Sequence, residues 1–323
     1  MTYCTPSSRL TIGVLACALG FGGPATAAQP LPFGPTWAPS TGEEQLPLWP
    51  NGATDMPPGP RPPEGLRAVR TGHGPGYLAI TEVSTPTVTV FQPKLPAVSG
   101  AVLVFPGGGF RALAIDIEGE EACAWLTARG LRCALVKYRV PRSNHHWDVG
   151  SQRHVTPPVA WAVQDAQRAV RLVRAQAQAL GIDPQKIGVM GFSAGGYLVA
   201  QLSATPGDSY RPVDAIDAQS SRPDFAVALY PGHICRQGSL DPGLRFTKTT
   251  PPTFLLHAWD DPVDPVCNST LYAQALAAAG AKAEVHLFAQ GGHAFGLRSS
   301  GLPVSSWPRL VEDWLRTIGV LPR

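Results

Sequence analysis

Residues 187–196 read Ile187-Gly188-Val189-Met190-Gly191-Phe192-Ser193-Ala194-Gly195-Gly196 and place a serine between glycines. The first four residues are an apolar run typical of a buried strand, and Leu198 and Leu202 continue beyond the segment in a helical pattern. A turn that joins a strand directly to a helix is tight, and flanking glycines avoid the side-chain clashes of such a turn. We therefore predict that Ser193 is exposed at this turn and that the helix directs backbone N–H groups toward it.

Apolar strands and helices alternate on both sides of this turn. Further buried strands are predicted, in chain order, at Ala101–Phe105, Leu131–Lys137, Phe225–Tyr230, Thr253–His257 and Glu284–Phe288. A helix is predicted at Glu120–Arg129, and a longer one has apolar residues every three or four positions from Val159 to Leu180. This alternation predicts an α/β fold whose mostly parallel central sheet is covered by helices on both faces.

The chain before the first buried strand also has a strand pattern. Short alternating segments at Leu78–Val83 and Thr87–Phe91 predict an antiparallel hairpin at the edge of the sheet.

Arg168, Arg171 and Arg174 of the long helix are assigned to its outer side. We therefore expect the three arginines to be hydrated.

The composition of the 323-residue chain is that of a globular protein. Hydrophobic residues make up 44% and charged residues 15%, enough apolar material for a large core and too little charge for a disordered chain. Lys and Arg number 26 against 23 for Asp and Glu, and like charges form no run. Binding to nucleic acid therefore has no electrostatic basis.

The first 28 residues have the features of a secretory signal peptide. Arg9 precedes the apolar stretch Leu10–Phe21, and Ala25-Thr26-Ala27-Ala28 offers a cleavage site near its last two residues. The apolar stretch is shorter than the roughly 20 residues that span a bilayer. We expect a secreted or periplasmic protein without a membrane span; a lipoprotein anchored through Cys17 and a disordered terminus are the alternatives.

The remaining chain is predicted to have two parts. Residues 29–70 are dense in Pro and Gly and show neither a strand nor a helix period, so we expect an extended leader wrapped on the surface. Residues 71–323 contain no stretch with the composition of a linker and are expected to form a single α/β domain.

Four of the six cysteines lie outside the predicted signal peptide, and an even number in an exported protein allows one or two disulfides. Cys235 and Cys267 each follow an apolar strand and can share one edge of the sheet as a disulfide. Cys123 and Cys133 are interpreted as two buried thiols. None of the four has the spacing of metal ligands.

A serine hydroxyl is a weak nucleophile until a base removes its proton, so a histidine is needed near Ser193. His293, in Gly291-Gly292-His293-Ala294, follows the last predicted strand, and a loop there can carry an imidazole across to the serine. His257 and His286 lie inside strands and are weaker candidates. We therefore predict His293 as the base.

A carboxylate must orient this imidazole and stabilise its protonated form. The strand Thr253–His257 leads into Asp260-Asp261-Pro262-Val263-Asp264, between Ser193 and His293 in the chain. We predict Asp261 as this acid, with Asp260 as the alternative. Asp264 is expected to contact loop backbone.

Donors for an oxyanion are predicted at two places. The strand Ala101–Phe105 is followed by Pro106 and three glycines, where backbone N–H groups can approach a reacting carbonyl with no side chain between. Ala194 follows the serine at the start of the helix. We therefore predict an oxyanion hole formed by the N–H group of Ala194 and that of Gly108 or Gly109.

Candidate substrate contacts lie on the same edge of the sheet. Phe110 follows the glycines, and His146 and Trp147 lie between a strand end and the long helix, on the rim where such sheets carry their sites. No carboxylate or cysteine completes a metal-ligand spacing with these histidines, so no metal site is predicted.

Seven motifs, taken together, resemble one family: Pro106-Gly107-Gly108-Gly109-Phe110, Tyr138-Arg139-Val140-Pro141, Asp165-Ala166-Gln167-Arg168-Ala169, Gly191-Phe192-Ser193-Ala194-Gly195-Gly196, Arg222-Pro223-Asp224-Phe225, Asp261-Pro262-Val263 and Gly291-Gly292-His293. From about Leu78 to Leu315 the chain is similar to secreted bacterial acetylxylan-esterase-like and feruloyl-esterase-like α/β-hydrolases, among the prolyl-oligopeptidase-like serine hydrolases. The resemblance implies the α/β-hydrolase fold, a serine triad, no cofactor, and hydrolysis of small esters such as acetyl groups on plant polysaccharide. The stretch between Tyr230 and Thr253 is short for the family, which implies a reduced cap over the site.

Two other functions are compatible with these motifs. A small-peptide serine peptidase would use the same triad, but the chain has no room for the gating domain of prolyl oligopeptidases and shows no carboxylate pair to hold a peptide amine. A surface-binding protein would keep the fold without turnover. The esterase is the leading hypothesis, and neither its natural ester nor its oligomeric state is predicted.

Overall fold

The strands predicted on either side of Ser193 belong to one eight-stranded sheet. The computed structural model describes residues 36–56, 62–70, 76–94, 97–140, 146–148, 153–155, 160–204 and 207–323, with the backbone alone described for 146–148, 153–155 and 160. The predicted signal peptide and its cleavage site lie outside these residues. The described residues belong to one compact unit, Phe33–Arg323.

The described strands are, in chain order, β1 (Gln45–Pro47), β2 (Gly65–Val69), β3 (Tyr77–Thr81), β4 (Thr87–Phe91), β5 (Ala101–Phe105), β6 (Ala112–Ala114), β7 (Arg132–Lys137), β8 (His146–Asp148), β9 (Arg153–Val155), β10 (Ile187–Phe192), β11 (Phe225–Leu229), β12 (Cys235–Arg236), β13 (Ser239–Leu240), β14 (Thr253–Ala258) and β15 (Ala283–Phe288). The described α-helices are α1 (Glu121–Thr127), α2 (Ala160–Ala175), α3 (Ala194–Ala204), α4 (Cys267–Ala279) and α5 (Trp307–Thr317). No helix in this part of the chain combines the length and the apolar character needed to cross a membrane.

The large sheet has the strand order β1-β4-β7-β5-β10-β11-β14-β15. β4 pairs antiparallel with both β1 and β7, whereas all pairs from β7 through β15 are parallel. Every residue of β5, β10, β11 and β14 is buried, as expected for strands covered on both faces. The predicted α/β class with a mostly parallel central sheet is confirmed.

The hairpin predicted for Leu78–Val83 and Thr87–Phe91 is wrong. Its second strand, β4, joins the large sheet, whereas its first, β3, pairs with β2 and β6 in a separate three-stranded sheet. Alternating apolar residues identify a strand and the face it buries. They do not identify the partner strand, which comes here from distant parts of the chain.

The Pro- and Gly-rich segment 29–70 is not confined to the surface. β1 is an edge strand of the large sheet, and Trp37, Leu48 and Trp49 are buried in the main hydrophobic core. These side chains enter the core singly rather than as one face of a regular element. The segment therefore has no hydrophobic period, although it contributes to the core.

A buried ion pair links the Pro- and Gly-rich segment 29–70 to the large sheet. The Asp165 carboxylate on α2 accepts hydrogen bonds from the backbone N–H of Arg139 (2.8 Å), from Arg139 Nε (2.9 Å) and from Trp49 Nε1 (2.7 Å). Arg139, two residues beyond β7, also donates to the carbonyl of Thr54 at 2.7 Å. Asp165 and Arg139 are both fully buried. The pair thus holds α2, the end of β7 and the leader segment together.

Arg168 and Arg171 of α2 are also buried, which corrects the prediction that these arginines are hydrated. Arg168 donates to Asp214 and Asp217, at 2.5 and 2.8 Å, and Arg171 pairs with Asp208. The helical period shows which side chains share a face of α2. It does not show that a later loop brings three carboxylates against that face.

The structure contains two disulfides among its described residues. Cys235–Cys267 links β12 to the start of α4, with Cα atoms 5.7 Å apart, and confirms the predicted bridge. Cys123 and Cys133, interpreted as two buried thiols, instead form a disulfide, with Cα atoms 5.2 Å apart. They meet because α1 packs against β7, the strand that follows it, and this packing is a tertiary contact that the spacing of the cysteines does not reveal.

Asp165→Ala should lower the free energy of unfolding by about 3–5 kcal/mol, because Arg139 keeps its charge in a buried site without its counterion. Urea unfolding followed by circular dichroism measures this change. The matched control, Asp313→Ala, removes a carboxylate from exposed pairs with Arg309 and Arg316 and should change the stability by less than about 1 kcal/mol. Similar small effects of the two substitutions would contradict the anchoring role of Asp165.

Candidate active site

Ser193 lies at the turn between β10 and α3 and has a left-handed backbone conformation, with φ +51°. Residues other than glycine rarely adopt this conformation, which is found at strained functional turns. A Cβ atom on Gly191 would lie 2.2 Å from the carbonyl oxygen of Gly195, and one on Gly195 would lie 1.9 Å from that of Phe105. Close backbone contacts therefore require the glycines on both sides of the serine.

His293 reaches Ser193 from the loop after β15. His293 Nε2 lies 3.0 Å from Ser193 Oγ. The loop is held by Asp260, whose Oδ1 accepts hydrogen bonds from the N–H groups of Gly291 and Gly292, both at 2.8 Å. Asp260, the alternative orienting acid, thus fixes the backbone beside His293 rather than the imidazole ring.

Asp261 contacts the other side of the imidazole ring. Its Oδ2 accepts a hydrogen bond from His293 Nδ1 at 2.7 Å, and its Oδ1 accepts from the backbone N–H groups of Val263 (2.8 Å) and Asp264 (2.9 Å). His257, buried in β14, also has Nε2 3.2 Å from Asp261 Oδ2, a contact that sequence reasoning missed. Both carboxylate oxygens are engaged, so the carboxylate is held in one orientation.

The carboxylates around the imidazole shift its proton equilibrium. Burial by itself lowers the pKa of His293, but the hydrogen bond to Asp261 and the negative charges of Asp264, Asp261 and Glu118 outweigh burial and raise this pKa above its ordinary 6.5. Burial acts to raise the pKa of Asp261, but hydrogen bonds from His257 and His293 hold it well below its usual range. Asp261 is therefore ionised at neutral pH, and His293 is a stronger base than a free imidazole.

The loop after β5 brings backbone N–H groups toward Ser193. Gly108 has φ +128°, and a Cβ atom there would lie 2.2 Å from the carbonyl oxygen of Ala112. Gly108 and Gly109 line the same cavity as Ser193. The N–H groups of Gly108 and Gly109 make no backbone hydrogen bond within the described part of the chain, and Ala194 is the first residue of α3. The two glycine N–H groups are therefore available to an acceptor in the cavity.

Glu118 supports this loop, and no sequence pattern points to it. It lies in a short π-helical turn, Asp116–Glu120, just before α1. Its Oε2 accepts a hydrogen bond from the N–H of Gly107 at 2.7 Å, and its Oε1 accepts one from the hydroxyl of Tyr230 at 2.9 Å. Burial raises the pKa of Glu118, partly offset by the charge of His293 and by these two hydrogen bonds.

The side chain of Asp264 faces Ser193, which corrects the prediction that it contacts loop backbone. Asp264 Oδ2 lies 3.2 Å from Ser193 Oγ and 3.8 Å from His293 Nε2. The backbone of Asp264 is the part that bonds within the site, through its N–H to Asp261 and its carbonyl to His257. Because these bonds fix the main chain, the side chain is directed into the cavity.

A cavity of about 300 Å³ opens beside Ser193. Its wall includes Tyr77, Gly108, Arg111, Glu118, Asp264 and His293. Phe110, a predicted substrate contact, is instead fully buried against the rings of Tyr138 and Tyr197. It has a left-handed backbone, φ +56°, and its side chain packs in the core.

The side chains of His146 and Trp147, the other predicted substrate contacts, lie outside those that the structure describes. Among the described residues, no group of three or more His, Cys, Asp or Glu side chains is arranged to hold a metal ion. The chemistry that the described groups can supply is a serine nucleophile, an imidazole base, a carboxylate that orients the base, and N–H donors for an oxyanion. This combination suits acyl transfer.

Comparisons with known proteins point to one family. A family model described as BD-FAE matches residues 149–229. An acetylxylan esterase from Xylanibacter ruminicola is 27% identical over 269 residues, which is 75% of this chain and 50% of that protein. The chain spans 29 to 55% of the length of the curated relatives it matches.

Solved structures match this chain over a larger share of their own length than the curated relatives do. An acetyl ester-xyloside bifunctional hydrolase from Caldicellulosiruptor lactoaceticus is 32% identical, covers 86% of this chain and is itself covered to 97%, with a TM-score of 0.65. Esterase 2 from Thermogutta terrifontis, phosphonylated by sarin, is 25% identical and covers 75% of this chain and 92% of its own, with a TM-score of 0.61. The chain therefore belongs to the acetylxylan-esterase-like family of α/β-hydrolases.

Proposed function

We propose that this protein is a serine carboxylic-ester hydrolase that cleaves small acyl esters through a covalent acyl-enzyme. The observation that carries the proposal is the line of contacts from Ser193 Oγ to His293 Nε2 (3.0 Å) and from His293 Nδ1 to Asp261 (2.7 Å). The esterase names of its relatives support the same class of reaction.

In the acylation step, Ser193 Oγ attacks the acyl carbon while His293 Nε2 takes the hydroxyl proton. The bond between the acyl carbon and the alcohol oxygen then breaks. The proton passes from Nε2 to that oxygen, which leaves as the free alcohol. Asp261 remains ionised and stabilises the imidazolium that exists between the two proton transfers.

Deacylation repeats the sequence with water as the nucleophile. His293 Nε2 takes a proton from water as the water oxygen attacks the acyl carbon. The bond to Ser193 Oγ breaks, and the proton returns to Oγ. The acid product leaves, and the serine hydroxyl is regenerated.

The negative oxygen of each tetrahedral intermediate requires donors that are already in place. In this proposal the N–H group of Ala194 and that of Gly108 or Gly109 bind this oxygen. The helix dipole of α3 adds positive potential at the same point. Losing one such donor typically reduces stabilisation of the transition state by about 3 kcal/mol.

We propose acetyl-type groups on plant polysaccharide as the substrate class. The cavity of about 300 Å³ is at the small end of ligand sites, which favours a short acyl chain. The names of two relatives, an acetylxylan esterase and an acetyl ester-xyloside hydrolase, support an acylated carbohydrate.

We also propose that the protein is secreted or periplasmic after signal-peptide cleavage near Ala27 or Ala28. The charged start, the apolar stretch and the small residues before the cut support export. The two disulfides support it as well, since such bonds persist in oxidising compartments. In this proposal the catalytic domain consists of residues 71–323 together with the part of the leader that enters the core.

Ser193→Ala should reduce hydrolysis of p-nitrophenyl acetate by roughly 10⁴-fold or more, because the nucleophile is lost. Steady-state kinetics measure the rate, and circular dichroism checks that the variant is folded. Residual activity within about tenfold of the wild type would refute the assignment of Ser193.

A fluorophosphonate probe should label the wild type and leave Ser193→Ala unlabelled, because only an activated serine reacts. A non-catalytic binding protein would not be labelled at all. A proline-ended chromogenic peptide tests the peptidase alternative, and cleavage of that peptide but not of the aryl ester would overturn the esterase proposal.

The value of kcat/KM should fall as the pH drops through the raised pKa of His293, because the imidazolium cannot accept the serine proton. The acidic limb should therefore lie above pH 6.5, the ordinary imidazole value, and should have unit slope. Rates for p-nitrophenyl acetate between about pH 5 and 9 measure this profile. A flat profile over that range would contradict the role of His293.

A further inference from the structure

The cavity beside Ser193 contains a carboxylate oxygen that has no partner among the described residues. Asp264 Oδ2 lies 3.2 Å from Ser193 Oγ, but Asp264 Oδ1 makes no hydrogen bond within the described part of the chain. Asp264 is 8% exposed and lines the cavity. Since no protein donor occupies this oxygen of a cavity-lining residue, it is available to a hydrogen-bond donor on a ligand.

The other two carboxylates of the site are already satisfied. Glu118 accepts one hydrogen bond at each oxygen, from the N–H of Gly107 and from the hydroxyl of Tyr230. Asp261 accepts two backbone hydrogen bonds at Oδ1 and contacts histidine rings at Oδ2. Of the three acids, Asp264 is the one with an oxygen that accepts no hydrogen bond from the described residues.

Asp264 lies on the side of the site where the alcohol leaves. His293 Nε2 must pass its proton to the leaving oxygen, so that oxygen has to lie within hydrogen-bond distance of Nε2. Asp264 Oδ2 is 3.8 Å from the same nitrogen. In the proposed mechanism, a substituent on the alcohol next to the ester oxygen therefore lies near Asp264, and the carbonyl oxygen lies near Gly108 and Gly109.

The backbone opposite Asp264 leaves just enough room for this carboxylate. A Cβ atom on Gly232 would lie 2.6 Å from Asp264 Oδ2 and 2.7 Å from Oδ1. The N–H of Gly232 is occupied by the carbonyl oxygen of Ser193, at 3.0 Å, and is not available to the carboxylate. The packing thus confines the carboxylate beside the serine without supplying a second donor.

We propose that Asp264 is a specificity-determining residue that selects esters of vicinal diols. In such a substrate the free hydroxyl on the carbon next to the ester donates a hydrogen bond to Asp264 Oδ1. An alcohol without this hydroxyl leaves the oxygen unpaired, and sites built around a substrate hydroxyl discriminate strongly against analogues that lack it. The inference rests on the esterase activity proposed above and adds the chemistry of the alcohol.

The test compares three acetates on one ring: trans-2-hydroxycyclohexyl acetate, trans-4-hydroxycyclohexyl acetate and cyclohexyl acetate. For the wild type, kcat/KM should be about tenfold or more higher for the 2-hydroxy ester than for cyclohexyl acetate, the range expected for a hydrogen bond to a charged group. The 4-hydroxy ester, whose hydroxyl is remote from the ester, should behave like cyclohexyl acetate. A wild-type ratio near one would overturn the inference.

Asp264→Ala should bring the ratio close to one, and Asp264→Asn, which keeps the shape and a neutral acceptor, should give an intermediate ratio. The ratio is the readout because any general effect on Ser193 cancels between substrates. Asp313→Asn, which removes an exposed carboxylate on α5, is the control and should keep the wild-type ratio. An unchanged ratio in a folded Asp264 variant also overturns the inference.

The same assay separates this inference from the proposed function. If p-nitrophenyl acetate and all three cyclohexyl esters resist hydrolysis, the esterase proposal fails. If p-nitrophenyl acetate is hydrolysed but the 2-hydroxy ester has no advantage, the esterase proposal stands and the role of Asp264 fails.

Discussion

The site depends on one close backbone contact, where the turn after β10 meets the end of β5. Gly195, in the first turn of α3, approaches the carbonyl oxygen of Phe105 so closely that a Cβ atom would lie 1.9 Å from it. This contact sets the distance between the turn that carries Ser193 and the loop that carries Gly108. Ser193 and the glycines proposed as oxyanion donors therefore lie at one edge of the sheet, because the neighbouring parallel strands β5 and β10 end there.

Three buried carboxylates surround one imidazole, and each has a different task. Asp261 fixes the orientation of the His293 ring and stays ionised, whereas Glu118 holds the backbone of the loop after β5 through Gly107. Asp264 faces the cavity beside Ser193. Burial raises the pKa of Glu118 and of Asp264, yet their charges both favour the imidazolium. The negative surroundings thus raise the pKa of His293 and favour its protonated form.

The framework around this site is held by charged groups that are withdrawn from water. Arg139 and Asp165 join the leader segment to the sheet, and Arg168 joins α2 to the loop that carries Asp217. Such pairs tolerate substitution poorly because each partner leaves a buried charge behind when the other is removed. These pairs thereby fix α2, which packs beside α3.

Features that depend on neighbouring residues could be predicted before the fold was known. The hydrophobic periods predicted the α/β class, and the turn glycines, strand ends and chain order pointed to Ser193, Asp261 and His293, which the structure brings together. The folded chain was needed to find the strand partners, the Cys123–Cys133 disulfide, the buried arginines, and the positions of Glu118 and Asp264. These features arise from contacts between segments far apart in the chain. Local patterns record which face of an element is buried, but they carry no information about which distant group lies against that face.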